Sequence, residues 1–411
     1  MKNFFPVLLL MPNLAFALSK DAPAPTFSRE VVRIFQHDCQ GCHRAGGLAP
    51  FSLTDYTEAQ KHASDIDDSV TNRSMPPWKP LGGCGDFVDD RSLSQADMDV
   101  IHQWAAAGAP EGNRSDMPPP LKFPDQWTLG QPDVALSSPV AYQVGATDED
   151  EYRCFILPYE AAKDDYIVGL EVRPDNPSVV HHAIIYLDPK NEAAALVKPG
   201  DPQPGYECFG GPGYKDFTSV GGWVPGNDPF FQPEGMGFAV PKGSKVVMQI
   251  HFHRDGKTHS DRTLLGLHFA KSPITHPLYI GGVANKTDLH IPAGDSNFTI
   301  SAEKTLPIDM QIVAVTPHMH LIGKKIGLEA ILPDNSKQCL IQINDWDFHW
   351  QGTYRYKKFI DLPKGTKLRL TGTYNNSESN PDQFYHPPQD INWGERTTDE
   401  MFLSFFNFIT K

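Results

Sequence analysis

From about residue 130 onward, apolar residues recur at every second position, in short runs closed by glycine, proline or aspartate. "YIVGLEVRP", "KVVMQIHFH", "MQIVAVTPHMH" and "TKLRLTGTY" are examples. A period of two puts successive side chains on opposite faces of a strand, and no helical stripe competes over most of this region. The chain has 37 prolines and 33 glycines in 411 residues, so turn signals come too often for long helices. The expectation is a mainly β protein, with length enough for two packed sandwiches.

The front of the chain follows other rules. "MKNFFPVLLLMPNLAFALSK" has the parts of an export signal: Lys2, an apolar stretch, and Ala15-Phe16-Ala17 as a cleavage site. Residues 1–17 are expected to be removed, which places the mature protein in the periplasm or outside the cell, where cysteines oxidise. No later segment offers about 18 consecutive apolar residues, so stable membrane insertion is not expected. A formal charge of −14 argues against nucleic acid and anionic membrane surfaces as partners.

"CQGCH", residues 39 to 43, sets two thiols on one turn with a histidine beside them. This spacing suits a covalently bound haem c, with Cys39 and Cys42 forming the thioethers and His43 binding the iron. Met75, in the proline-rich "RSMPPWKP", is expected as the distal ligand ahead of Met98. Met98 falls on "SLSQADMDVIHQWAAAGAP", a predicted helix capped by Ser94 and Asp97, with Met98, Ile101 and Trp104 or Ala105 on its apolar stripe. His102 reads as a surface or packing residue of the same helix. Residues 26–114 thus read as a small α-helical cytochrome c domain, and 115–127, containing "DMPPPLKFPDQW", as a stiff linker.

Histidines in the β-rich part fall in three groups: His181 with His182, His251 with His253, and His318 with His320. Residues two apart on a strand share a face, so His318 and His320 can reach one ion. Adjacent His181 and His182 point to opposite faces, and can share an ion only at a bulge or a strand end. Imidazole-rich sites without nearby cysteine or clustered carboxylates suit copper or zinc. Of the two, only copper can exchange electrons with a haem.

The order His-His, "QIHF", His-x-His and a late "TTDEM" resembles the copper type II monooxygenases, over about residues 148 to 410. The resemblance implies two jelly-roll-like sandwiches, 128–275 and 276–411, each with one copper ion, facing across a solvent-filled cleft. It implies that His181, His182 and His251 hold the electron-storing copper. His318, His320 and Met401 would hold the copper at which dioxygen binds and hydrogen is abstracted. Met401 taken alone would read as core packing, and His253 has no role in the pattern. The resemblance also implies a disulfide between Cys154 and Cys208, while Cys84 and Cys339 stay unassigned. Peptide-amidating members clamp a substrate carboxylate with Arg, Asn and Tyr, at positions that are Thr316, Leu403 and Phe405 here. A less polar small molecule is therefore the expected substrate, alongside O2 and an external electron donor. The expected function is C–H hydroxylation with electrons supplied through the fused haem. The alternative is a haem and copper electron-transfer or copper-binding protein without oxygenase turnover.

Overall fold

The computed structural model describes residues 23–47, 49–123, 127–147 and 150–411; the expected export signal, 1–17, lies outside the described residues. Among the described residues, twenty-two strands and a few short helices make the structure mainly β. The helices Val32–Asp38, Tyr56–Lys61, Ala63–Thr71 and Gln95–Ala106 all lie near the front. The Ser94 hydroxyl accepts the Asp97 N–H at 3.1 Å and starts the last of them. Its stripe buries Ile101 and Trp104 against Phe27 and Phe35, with Met98 partly buried at the edge. His102 lies on the exposed side, 3.0 Å from a carboxylate oxygen of Asp67.

Two sandwiches follow. In the first, one five-stranded sheet runs Tyr206–Glu207, Glu151–Glu160, Lys245–Phe252, Val180–Asp188, Thr218–Trp223. It packs on a second sheet ordered Val134–Ser137, Leu264–Phe269, Asp165–Arg173, Met236–Val240, His276–Pro277. Alternate residues such as Ile185, Leu187, Met248 and Ile250 fill the space between them. The second sandwich pairs two four-stranded sheets. One is ordered Tyr279–Ala284, Leu403–Thr410, Met310–His318, Tyr354–Leu362, and the other Phe298–Thr305, Lys367–Tyr374, Gly323–Ile331, Lys337–Ile343.

Strand parity decides what meets at the junction of the two sandwiches. Phe402 and Phe406 point into the core of the second sandwich. Ile409, on the opposite face of the same strand, joins Val313 in the core of the first. Leu403, Phe405 and Asn407 share the Ile409 face, where they pair with His318, Thr316 and Ala314. His318 therefore looks toward the first sandwich.

The residues between the third and fourth helices do not stay with the helical core. Residues 78–91 form a strap across the second sandwich: the Leu81 N–H donates to Gln342 O at 2.7 Å and the Val88 N–H to Arg355 O at 2.8 Å. Trp78 and Phe87 pack on that sandwich's core, and Cys84 forms a disulfide with Cys339. The sequence left those two cysteines unassigned. The proline-rich stretch is also docked, since Gln36 and Arg33 of the first helix donate to the carbonyls of Pro119 and Asp116.

Candidate metal centres

The strand register answers the question posed by two adjacent histidines. Val180 pairs with Phe252 and His182 with His251, so the register shifts by one residue across His181. His181 is the extra residue of a β-bulge, which turns its side chain to the side of its neighbour. One ring nitrogen from each of His181, His182 and His251 then lies within 4.8 Å of the other two. The His181 and His182 Nδ1 atoms are 3.1 Å apart.

His251 is 1% exposed, and neither ring nitrogen has a hydrogen-bond partner among the described residues. Asp150 Oδ1 lies 3.4 Å from its Nε2, without hydrogen-bond alignment. Leaving a buried polar group unpaired costs about 1–3 kcal/mol, and a metal ion among the three imidazoles would remove that cost. Burial, reinforced by neighbouring imidazoles, pushes His181 down to about 3 and His182 well below its ordinary value. His251 is also lowered by burial, although Asp150 opposes the shift. The three rings are therefore neutral, as ligation requires. Tyr152 stacks on His251 at 4.2 Å and backs the cluster. His253 is exposed and donates to Asp150 at 3.1 Å, so it reaches the cluster only through that carboxylate.

The second group sits where the Met310–His318 strand ends. His318 donates from Nδ1 to Gln351 Oε1 at 2.5 Å, and His320 donates from Nδ1 to Asp399 O at 3.0 Å. Both bonds fix the tautomer and leave Nε2 bare, the usual preparation of a metal-binding imidazole. Burial lowers His318 to about 4 and His320 well below the ordinary value. Met401 is 7% exposed and opens the strand that pairs with His318. Two neutral imidazoles together with a thioether would suit a soft copper ion.

Three residues that the sequence reading did not single out organise this site. Glu400 is fully buried and accepts the backbone N–H groups of His320 and Ile322, each at 2.8 Å. Burial pushes its carboxyl up to about 8, against backbone hydrogen bonds that include those from Met401 and Gly323. One side chain thus ties the His320 turn to the start of the Met401 strand. Gln351 orients His318. Phe348, 8% exposed, occupies the space where the resemblance implies a solvent-filled cleft. Its ring stacks on His181 at 4.8 Å and meets His320 edge-on at 5.7 Å. Around it the 395–400 loop spans both sandwiches: Tyr152 donates to Glu395 O at 2.6 Å, and the Thr397 N–H to Asp150 at 2.9 Å.

Thr316 and Phe405, two of the positions that differ from the peptide-amidating pattern, face each other beside His318. The Thr316 hydroxyl is engaged with that of Thr353 at 2.9 Å, and Phe405 is 47% exposed. Cys154, on the same strand as Tyr152, is bonded to Cys208 at 2.09 Å. In the helical part, Cys39 and Cys42 are the free cysteines among the described residues. His43 donates from Nδ1 to Phe51 O at 3.1 Å, which leaves its Nε2 bare as well. Met75 is partly buried in the loop after the third helix and, unlike Met98, is not packed on the helical core. Two free thiols and an imidazole with a bare Nε2 lie within one turn of chain, donors of the kind that would suit haem.

The sequence of the second sandwich has a counterpart among known protein families. Residues 280–410 match the family "Copper type II ascorbate-dependent monooxygenase, C-terminal domain". Among curated proteins, the chain is similar to DBH-like monooxygenase protein 1 of Homo sapiens, 22% identical over 357 residues, covering 77% of this chain and 55% of that protein. It is 23% identical over 238 residues to the Gallus gallus protein of the same name, covering 51% of this chain and 37% of that one. The chain thus spans about half the length, or less, of these relatives. A solved structure of PNGF-II overlaps 67% of this chain and 65% of its own at 10% identity, with a TM-score of 0.28, too low to carry an argument.

Proposed function

We propose that the chain is an exported, copper-dependent monooxygenase that places one oxygen atom of O2 into a C–H bond of a small organic substrate. The observation that carries this reading is the bulge at His181, which gathers three neutral imidazoles opposite His318 and His320 of the matched segment. His181, His182 and His251 would hold one copper ion, and His318, His320 and Met401 the other. Copper supplies single-electron storage at the first site and dioxygen activation at the second. A haem held by Cys39, Cys42, His43 and Met75 would supply electrons one at a time from an external donor.

The remaining steps belong to this chain's own side chains. Gln351 and the Asp399 carbonyl keep protons on the Nδ1 atoms of His318 and His320, so both rings present Nε2. The Met401 thioether favours the reduced metal. Phe348, packed on both His181 and His320, fills space between the two imidazole groups that water would otherwise take, which would protect reactive intermediates from side reactions. Thr316, already engaged with Thr353, and Leu403 and Phe405 offer no cation to a substrate carboxylate, which supports a substrate of low polarity.

Oxygen uptake by the copper-loaded protein, screened over small organic substrates, tests the proposal. Substrate-dependent uptake that is abolished in Met401→Ile, with haem spectrum and fold intact, is expected. Turnover retained by that variant removes Met401 from the ligands. Absence of any substrate-dependent uptake favours the electron-transfer alternative.

A further inference from the structure

Between the helical part and the two sandwiches lies a cavity of about 550 Å³. His37 and Asp38, immediately before Cys39, form one side of it. Gln351, the partner of His318, lines it elsewhere. Three tryptophans line it too: Trp350 adjoins Gln351, and Trp78 and Trp223 lead to different histidine groups. Trp223 lies on the edge strand opposite Ala183, one residue from His182. Trp78 belongs to the strap, three residues after Met75 in "MPPW".

The two differ in how they reach the haem-binding residues. Trp223 has only the cavity between itself and the helical part. Trp78 is joined to Met75 by the chain itself. On its other side, Trp78 meets the Tyr354 ring edge-on at 5.4 Å. Tyr354 is buried, pairs with Val315 of the His318 strand, and follows Gln351 by three residues. Gln351 then contacts His318 directly, at 2.5 Å. The strap is held in this position by the Cys84–Cys339 disulfide and by an ion pair from Lys79 to Asp345 at 2.8 Å.

We infer that Trp78 is the residue through which an electron passes from the haem module into the His318, His320 and Met401 site, without first visiting the His181, His182 and His251 site. This rests on the haem and copper reading above. The step moves one electron from haem iron(II) to copper(II), giving iron(III) and copper(I), and no proton need move. Trp78 takes this place because it packs edge-on against Tyr354, which pairs with the His318 strand. The storage site then serves the second electron of each turnover, and its filling follows that of the oxygen site.

The test uses the full chain, with haem and copper content measured first. A chain that carries no haem or no copper is recognised at that stage, and it overturns the underlying reading together with this inference. In the loaded protein the haem is reduced by a light flash and its reoxidation by copper(II) is followed optically. The wild type and Trp223→Leu are expected to show a fast phase that Trp78→Leu loses, at unchanged copper content and haem potential. A fast phase kept by Trp78→Leu, or lost in Trp223→Leu alone, overturns the inference. A second measurement needs no Trp78 variant: electron paramagnetic resonance of the wild type after less than one electron equivalent. The copper(II) signal that falls first should be the one missing from His318→Ala. If it is the one missing from His182→Ala, electrons enter at the storage site and the inference fails.

Discussion

Removal of the Glu400 carboxylate should loosen the second histidine group more than its distance from solvent would suggest. The side chain is fully buried and accepts from the His320 and Ile322 N–H groups through separate oxygens. In Glu400→Ala both donors lose their partner inside a buried turn. Each unpaired buried donor costs about 1–3 kcal/mol, so the pair should cost about 2–6 kcal/mol before any cavity is counted. Glu400→Gln keeps the volume and one acceptor, and should fall between the variant and the wild type. The turn carries His320, so the loss should also appear as weaker metal binding, tenfold for about every 1.4 kcal/mol transmitted to the site. Urea denaturation of the metal-free protein measures the first effect, and copper titration the second. Glu400→Ala with wild-type stability and two tightly bound copper ions would refute the role assigned to this residue.

Burial depresses His181 to about 3 and His318 to about 4, whereas an unfolded histidine titrates near 6.5. Below pH 6.5 the unfolded chain takes up protons that the folded one refuses, so the metal-free protein should lose stability as pH falls from about 6.5 toward 4. His318→Ala should flatten that slope; an unchanged urea midpoint across the window in the wild type would contradict it. The Cys84–Cys339 bond closes a separation of 255 residues and pins the strap. Its double serine variant should lose about 2–5 kcal/mol of stability and expose the strap to protease, and equal resistance to cleavage would show the strap held by its other contacts.

The β-rich body was legible from period-two alternation because half-buried strands must alternate, and the structure is mainly β as that pattern required. The need for a bulge at His181 was legible as well, since two adjacent imidazoles cannot otherwise share a face, and the register shift falls there. The fourth helix starts at the Ser94 cap that the sequence signals. Other features depend on pairings distant in sequence. Nothing local in "LGGCGDFVDD" says that it crosses to Gln342 and Arg355, and Cys84 finds Cys339 only once the strap is laid across the sheet. Phe348 carries no periodic signal, because its place between His181 and His320 is created by two sandwiches meeting. Glu400 had a usable cue: a carboxylate directly before an apolar strand must be paired if it is buried. In "TTDEM" the methionine drew the reading and the glutamate did not.

The most direct test of two three-ligand copper sites is copper per chain after reconstitution and desalting, compared between the wild type, His251→Ala and His320→Ala. Two copper ions are expected in the wild type and one in each variant, with the retained ion giving a different paramagnetic signature in the two. A wild type that retains no copper, or variants that lose none, would contradict it.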